Sequence, residues 1–151
     1  MMGFFETIYC WFQGLFGVDL ADYLAGFDCE TSTFIGIYRF NTIGFGTLII
    51  VAALAAVYYY VINSPRFSQW YHWLIWGCFT GFVNLLFGGL YTSYFYNEGL
   101  IPNCLNVEII DCWMFGVANF IVSFAIYFVI SLLIKWKSTN CRCTPFMLRK
   151  K

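Results

Sequence analysis

The chain has 151 residues, enough for one domain, and is 61% hydrophobic, 23% aromatic and only 11% charged. Soluble domains carry about 25% charged residues, so the composition excludes an ordinary soluble fold and indicates an integral membrane protein. The formal net charge is zero, and no nucleic-acid motif or broad basic face is present to bind DNA or RNA.

Residues 1–41 read as an outer segment. No Lys or Arg precedes Arg39. The basic start of a cleavable signal peptide is therefore missing, and the segment is expected to stay on the mature chain. Residues 4–26 are the ambiguous stretch, because they are apolar enough to suggest a fourth span. Glu6, Asp19 and Asp22 argue against that, each costing about 2.5–3.5 kcal/mol at the centre of a bilayer, and Gly14 and Gly17 break the run. Two short amphipathic helices lying on the outer surface are expected instead. Trp11, Phe12, Leu15 and Phe16 would be their anchors and Asp19 the N-cap of the second.

Three uncharged apolar runs follow, at 42–62, 73–95 and 113–134. Each exceeds the roughly 20 residues needed to cross about 30 Å of hydrocarbon. The fold class is thus all-α, with three transmembrane helices in a domain spanning 42–134. Asn63-Ser64-Pro65 stops the first helix. Aromatic belts mark the boundaries: Tyr58, Tyr59, Tyr60, Trp70, Tyr71, Trp73 and Trp136 at one interface, Tyr91, Tyr94, Tyr96 and Trp113 at the other. Residues 96–112 form the second loop and 135–151 a basic tail.

Charge is segregated by this layout. The acids Glu6, Asp19, Asp22, Asp28, Glu30, Glu98, Glu108 and Asp111 all fall on one side. The bases Arg66, Lys135, Lys137, Arg142, Arg149, Lys150 and Lys151 fall on the other, with Arg39 as the exception. Basic loops stay in the cytoplasm, which puts the amino terminus outside and the carboxyl terminus inside, in a bacterial inner (plasma) membrane. Cys10, Cys29, Cys104 and Cys112 then lie outside, where two disulfides with three connectivities are open. Cys104–Cys112 would close the outer loop, Cys10–Cys29 would staple the amino-terminal helices, and crossed pairs would tie that segment to the loop. Cys141 and Cys143 supply only half of a four-ligand metal site, so no metal or cofactor is expected.

Two stripes of small and polar residues run along the spans at helical spacing. Gly77, Gly81, Asn84, Gly88 and Thr92 line the second. Gly116, Asn119, Ser123, Tyr127 and Ser131 line the third. Gly46, Ala53 and Ala56 mark the first. Lipid tails need no such stripes, so they are expected to face protein or water. Either they pack helices together, or one lines a pore in an oligomer, with Asn84 repeating as a ring of amides. In that case Phe79, Phe82, Phe87, Phe120, Phe124 and Phe128 could form an apolar constriction.

No span holds an ionisable residue, which disfavours proton-coupled transport, and the common catalytic and nucleotide-binding motifs are missing. His72 reads as an interfacial aromatic, and no enzyme is expected. The three-span plan, amino-out and carboxyl-in with a basic tail, resembles the layout of class I phage holins. The likeness is one of topology and implies a pore-forming oligomer; short polytopic effectors of bacterial defence systems are similar in size. The expected function is an oligomeric channel or pore. The alternative is a non-conducting accessory or scaffold subunit of a membrane complex. Expected partners are the lipid bilayer, further copies of the chain, and a cytoplasmic regulator or anionic ligand held by Lys135, Lys137, Arg142, Arg149, Lys150 and Lys151.

Overall fold

The computed structural model describes residues 4–35, 39–62 and 69–134. Three short helices come first: α1 (Phe4–Cys10), α2 (Gln13–Phe16) and α3 (Val18–Ala25). A small antiparallel hairpin follows, β1 (Phe27–Asp28) against β2 (Thr33–Phe34), pairing Phe27 with Phe34 and Asp28 with Thr33. Then come the long helices: α4 (Arg39–Ala56), extended by a π-helical turn over Val57–Ile62, α5 (Trp70–Asn97) and α6 (Ile109–Ile134).

These three are long and apolar enough to cross a membrane, at 24, 28 and 26 residues, counting the π turn with α4. The helices overrun the apolar windows read from the sequence, because helical hydrogen bonding continues into polar residues that hydrocarbon would not cover. At the start of α6 the Asp111 carboxylate accepts the Glu108 amide at 2.9 Å. That satisfies one of the donors a helix start leaves open and places negative charge at the positive end of the helix dipole. The most extensive packing is between α5 and α6, while α4 lies along α6 and touches α5 less.

The amino-terminal segment differs from the expected surface helices. It enters the bundle, with α1 and α2 packing on α4 and α6. Phe16, expected to anchor in lipid, is fully buried and meets Phe115 edge-on. Tyr9 is also fully buried, stacked on Phe40 at 5.6 Å. Trp11 and Leu15 do point outward, at 83% and 42% exposure. Asp19 is not an N-cap. The cap of α3 is Gly17, whose φ of +85° only glycine adopts readily, so the break between α2 and α3 falls there and Asp19 sits in the first turn.

At the acidic end a disulfide joins Cys29, in the hairpin turn, to Cys104 in the loop before α6. This is a crossed connectivity, tying segment to loop; Cys10 and Cys112 are thiols, so neither local pairing is formed. The hairpin turn is stabilised by the Asp28 carboxylate, which accepts the Thr31 hydroxyl at 2.7 Å. That bond, helped by the Glu30 and Thr31 amides, holds the Asp28 carboxyl below its ordinary range. Burial, then the neighbouring Asp19, pushes the Asp22 carboxyl up. Arg39, the one base at this end, donates to the Tyr23 carbonyl at 2.9 Å and lies 4.2 Å over the Tyr23 ring.

The aromatic belt at the other end splits. Tyr60, Trp70 and Tyr71 are exposed, as an interfacial belt requires, but Tyr58, Tyr59 and Trp73 are buried. Trp73 stacks on Tyr127, and Tyr58 on Trp76. The π turn allows this: its wider winding brings the consecutive Tyr58 and Tyr59 onto the inward face together.

Candidate functional site

The small-polar stripes of α5 and α6 face each other. Gly77, Gly81, Asn84, Gly88 and Thr92 on α5 are buried, as are Gly116, Asn119, Ser123, Tyr127 and Ser131 on α6. Glycines on one helix receive rings from the other. A Cβ at Gly77 would meet Phe124 and Tyr127, and one at Gly81 would meet Phe120 at 2.7 Å. At Gly116 the obstacle is backbone: a Cβ would lie 2.7 Å from the Leu85 carbonyl oxygen. The two backbones thus approach as closely as glycine permits, the arrangement small residues allow between membrane helices. On α4 the inward face is Phe40, Ile43, Gly44, Thr47, Val51 and Ala55. Gly46 also takes a ring, that of Phe87, but Ala53 is exposed and Ala56 half-buried.

Asn119 is the hub of the buried polar centre. Its Oδ1 accepts the Tyr9 hydroxyl at 2.6 Å and the Thr47 hydroxyl at 3.0 Å. Its Nδ2 donates to the Asn84 backbone carbonyl at 2.7 Å. That carbonyl can only accept, which fixes the amide orientation. One side chain therefore joins α1, α4, α5 and α6 by three hydrogen bonds, with all four participating residues fully buried. Asn84 behaves differently. Its Nδ2 donates to the Thr80 carbonyl within α5, at 2.9 Å, and its buried Oδ1 receives no hydrogen bond.

Three further bonds cross between helices. Trp73 Nε1 donates to Ser131 Oγ at 3.1 Å, Trp76 Nε1 to the Leu54 carbonyl at 3.0 Å, and the Thr92 hydroxyl is 3.2 Å from the Cys112 carbonyl. The Ser123 hydroxyl is satisfied within α6, on the Phe120 carbonyl.

The sequence-derived stripes are thus brought together, and the phenylalanines divide. Phe87, Phe120 and Phe124 fill glycine notches, whereas Phe79 and Phe82 are exposed on α5. Tyr9 and Thr47 were missed; the one available signal was that Tyr9 and Phe5 share a face of α1 at i, i+4 spacing. Among the described residues no group of three or more His, Cys, Asp or Glu side chains gathers to hold a metal. The basic-tail residues Lys135, Lys137, Arg142, Arg149, Lys150 and Lys151, with Cys141 and Cys143, lie outside the described residues, as do Arg66 and Trp136. The chain matches no protein-family model, no curated protein and no solved structure.

Proposed function

We propose that the chain is a membrane-embedded accessory or scaffold subunit, non-conducting and non-enzymatic, that associates with other membrane chains. One observation carries this reading: the two stripes able to line an aqueous path are buried against each other inside one chain. The surface left for neighbours is apolar. On α5 it includes Ile75, Phe79, Phe82, Leu86 and Leu90. A ring of copies lined by such residues would present hydrocarbon, not amides, to an ion. The Lys/Arg bias supports an acidic face outside and a basic tail in the cytoplasm, where the tail would meet anionic lipid or a regulator.

The competing reading is a homo-oligomeric pore, and planar-bilayer recording separates the two. The purified protein is expected to give no unitary current at any applied voltage. A current that Asn84→Leu alters would place α5 at a conducting path and overturn the scaffold reading.

A further inference from the structure

The amino-terminal segment fills only part of the face it occupies. Tyr9 meets Asn119 and Phe16 meets Phe115, both in the first half of α6. Beyond them the segment stops, and a groove of about 400 Å³ opens beside the second half of α6. Trp11 and Phe12 roof it, Leu48 of α4 forms one side, and Val122, Ala125 and Ile126 of α6 form the floor. All its lining residues are apolar. Its size falls in the roughly 300–1,000 Å³ range of small-molecule sites.

We infer that this groove holds one acyl chain of an anionic phospholipid, from the leaflet at the carboxyl-terminal end of α6. The inference rests on the membrane placement proposed above. At that depth the groove opens onto hydrocarbon, and an apolar void there takes in the surrounding chains. A transmembrane helix, about 10 Å across, cannot lie along the face, because α1 and α2 already occupy its other half. A single flexible chain entering from the open end fits. Charge selects the headgroup: the sequence runs from Ile134, the last residue of α6, into Lys135 and Lys137, with no acid after Asp111. Basic residues beside a membrane attract anionic lipid by about 1 kcal/mol each.

Trp11 is a built-in reporter, since it lines the groove and is exposed. The protein is reconstituted in vesicles of mixed zwitterionic and anionic phospholipid, with bromine quencher near mid-chain on one lipid or the other. The Trp11 component is obtained by subtracting the Trp11→Phe variant. Anionic-lipid bromine is expected to quench Trp11 several-fold more than its mole share. Ala125→Phe, at an exposed floor position, should abolish that excess without changing helicity. Displacing two methylenes at about 0.8 kcal/mol each lowers occupancy roughly tenfold. Equal quenching by both labels would mean bulk lipid and overturn the site. Trp11 shielded from both labels, with other tryptophans quenched, would mean a protein occupant and also overturn it. No tryptophan quenched by either label would instead sink the membrane placement itself.

Discussion

The α5–α6 pair and the seat of the amino-terminal segment both hold helices together, but with different material. Between α5 and α6 the contact is close and repetitive: glycines at 77, 81, 88 and 116 let rings and backbone approach along much of the interface. The amino-terminal segment is short, and it is wedged in by a few large rings and one hydroxyl. Phe5 sits where Gly44 leaves room, Phe16 sits against Phe115, and Tyr9 reaches Asn119. In hydrocarbon there is no hydrophobic drive to bring apolar helices together, so association comes from packing and interhelical hydrogen bonds. The first region relies mainly on packing, the second on aromatic contacts plus a shared amide. Asn119 belongs to both, which makes it the point where the two can be separated experimentally.

The largest expected effect breaks the first region alone. Gly116→Leu puts a side chain against the Leu85 carbonyl, where no flexible neighbour can yield. Overpacking of this kind costs about 1–3 kcal/mol or more, and the thermal transition in detergent should fall steeply. Gly14→Ala is the control, because nothing lies within 4 Å of a Cβ there.

The next effect sharpens the comparison at the hub. Asn119→Leu removes three hydrogen bonds and leaves the Tyr9 and Thr47 hydroxyls without their acceptor. Interhelical hydrogen bonds in membranes average about 0.6 kcal/mol each, so a loss of about 2 kcal/mol is expected. Tyr9→Phe removes one of the three and should cost about a third of that. Limited proteolysis of both variants should cut first in the amino-terminal segment, while α5 and α6 remain paired. Cleavage that begins in the loop after α5 would show that the segment is not the separable part.

The smallest effect is at the other amide. Asn84→Leu deletes a hydrogen bond within α5 and, with it, a buried oxygen that has no donor. An unsatisfied buried polar group costs about 1–3 kcal/mol, so this substitution should leave stability unchanged or raise it. A fall comparable to that of Asn119→Leu would mean that Asn84 Oδ1 has a partner after all.

The same contrast explains how much could be read from the sequence. The spans were legible because length and lack of charge suffice to mark them. The stripes were legible because glycine and small polar residues at helical spacing have no use against lipid. Which partner each stripe faced was not legible, since the pattern is the same for a packing seam and for a pore wall. The seat of residues 4–16 was hidden for another reason. Glu6, Gln13 and two glycines make the stretch look interfacial, and only the tertiary match of Tyr9 to Asn119, 110 residues away, draws it inward. The crossed disulfide was one of three equal options for the same reason, because it depends on where that segment sits.

Substituted-cysteine accessibility tests the central claim, that the two stripes seal each other within one chain, most directly. With the free cysteines replaced, single cysteines are introduced by Asn84→Cys, Ser123→Cys and, as an exposed control, Glu30→Cys, and are treated with a charged thiol reagent in vesicles. Burial of Asn84 and Ser123 predicts labelling of the control and none at the two stripe positions from either side. Modification of Asn84→Cys or Ser123→Cys at a rate near that of the control would put a stripe in water and contradict the account.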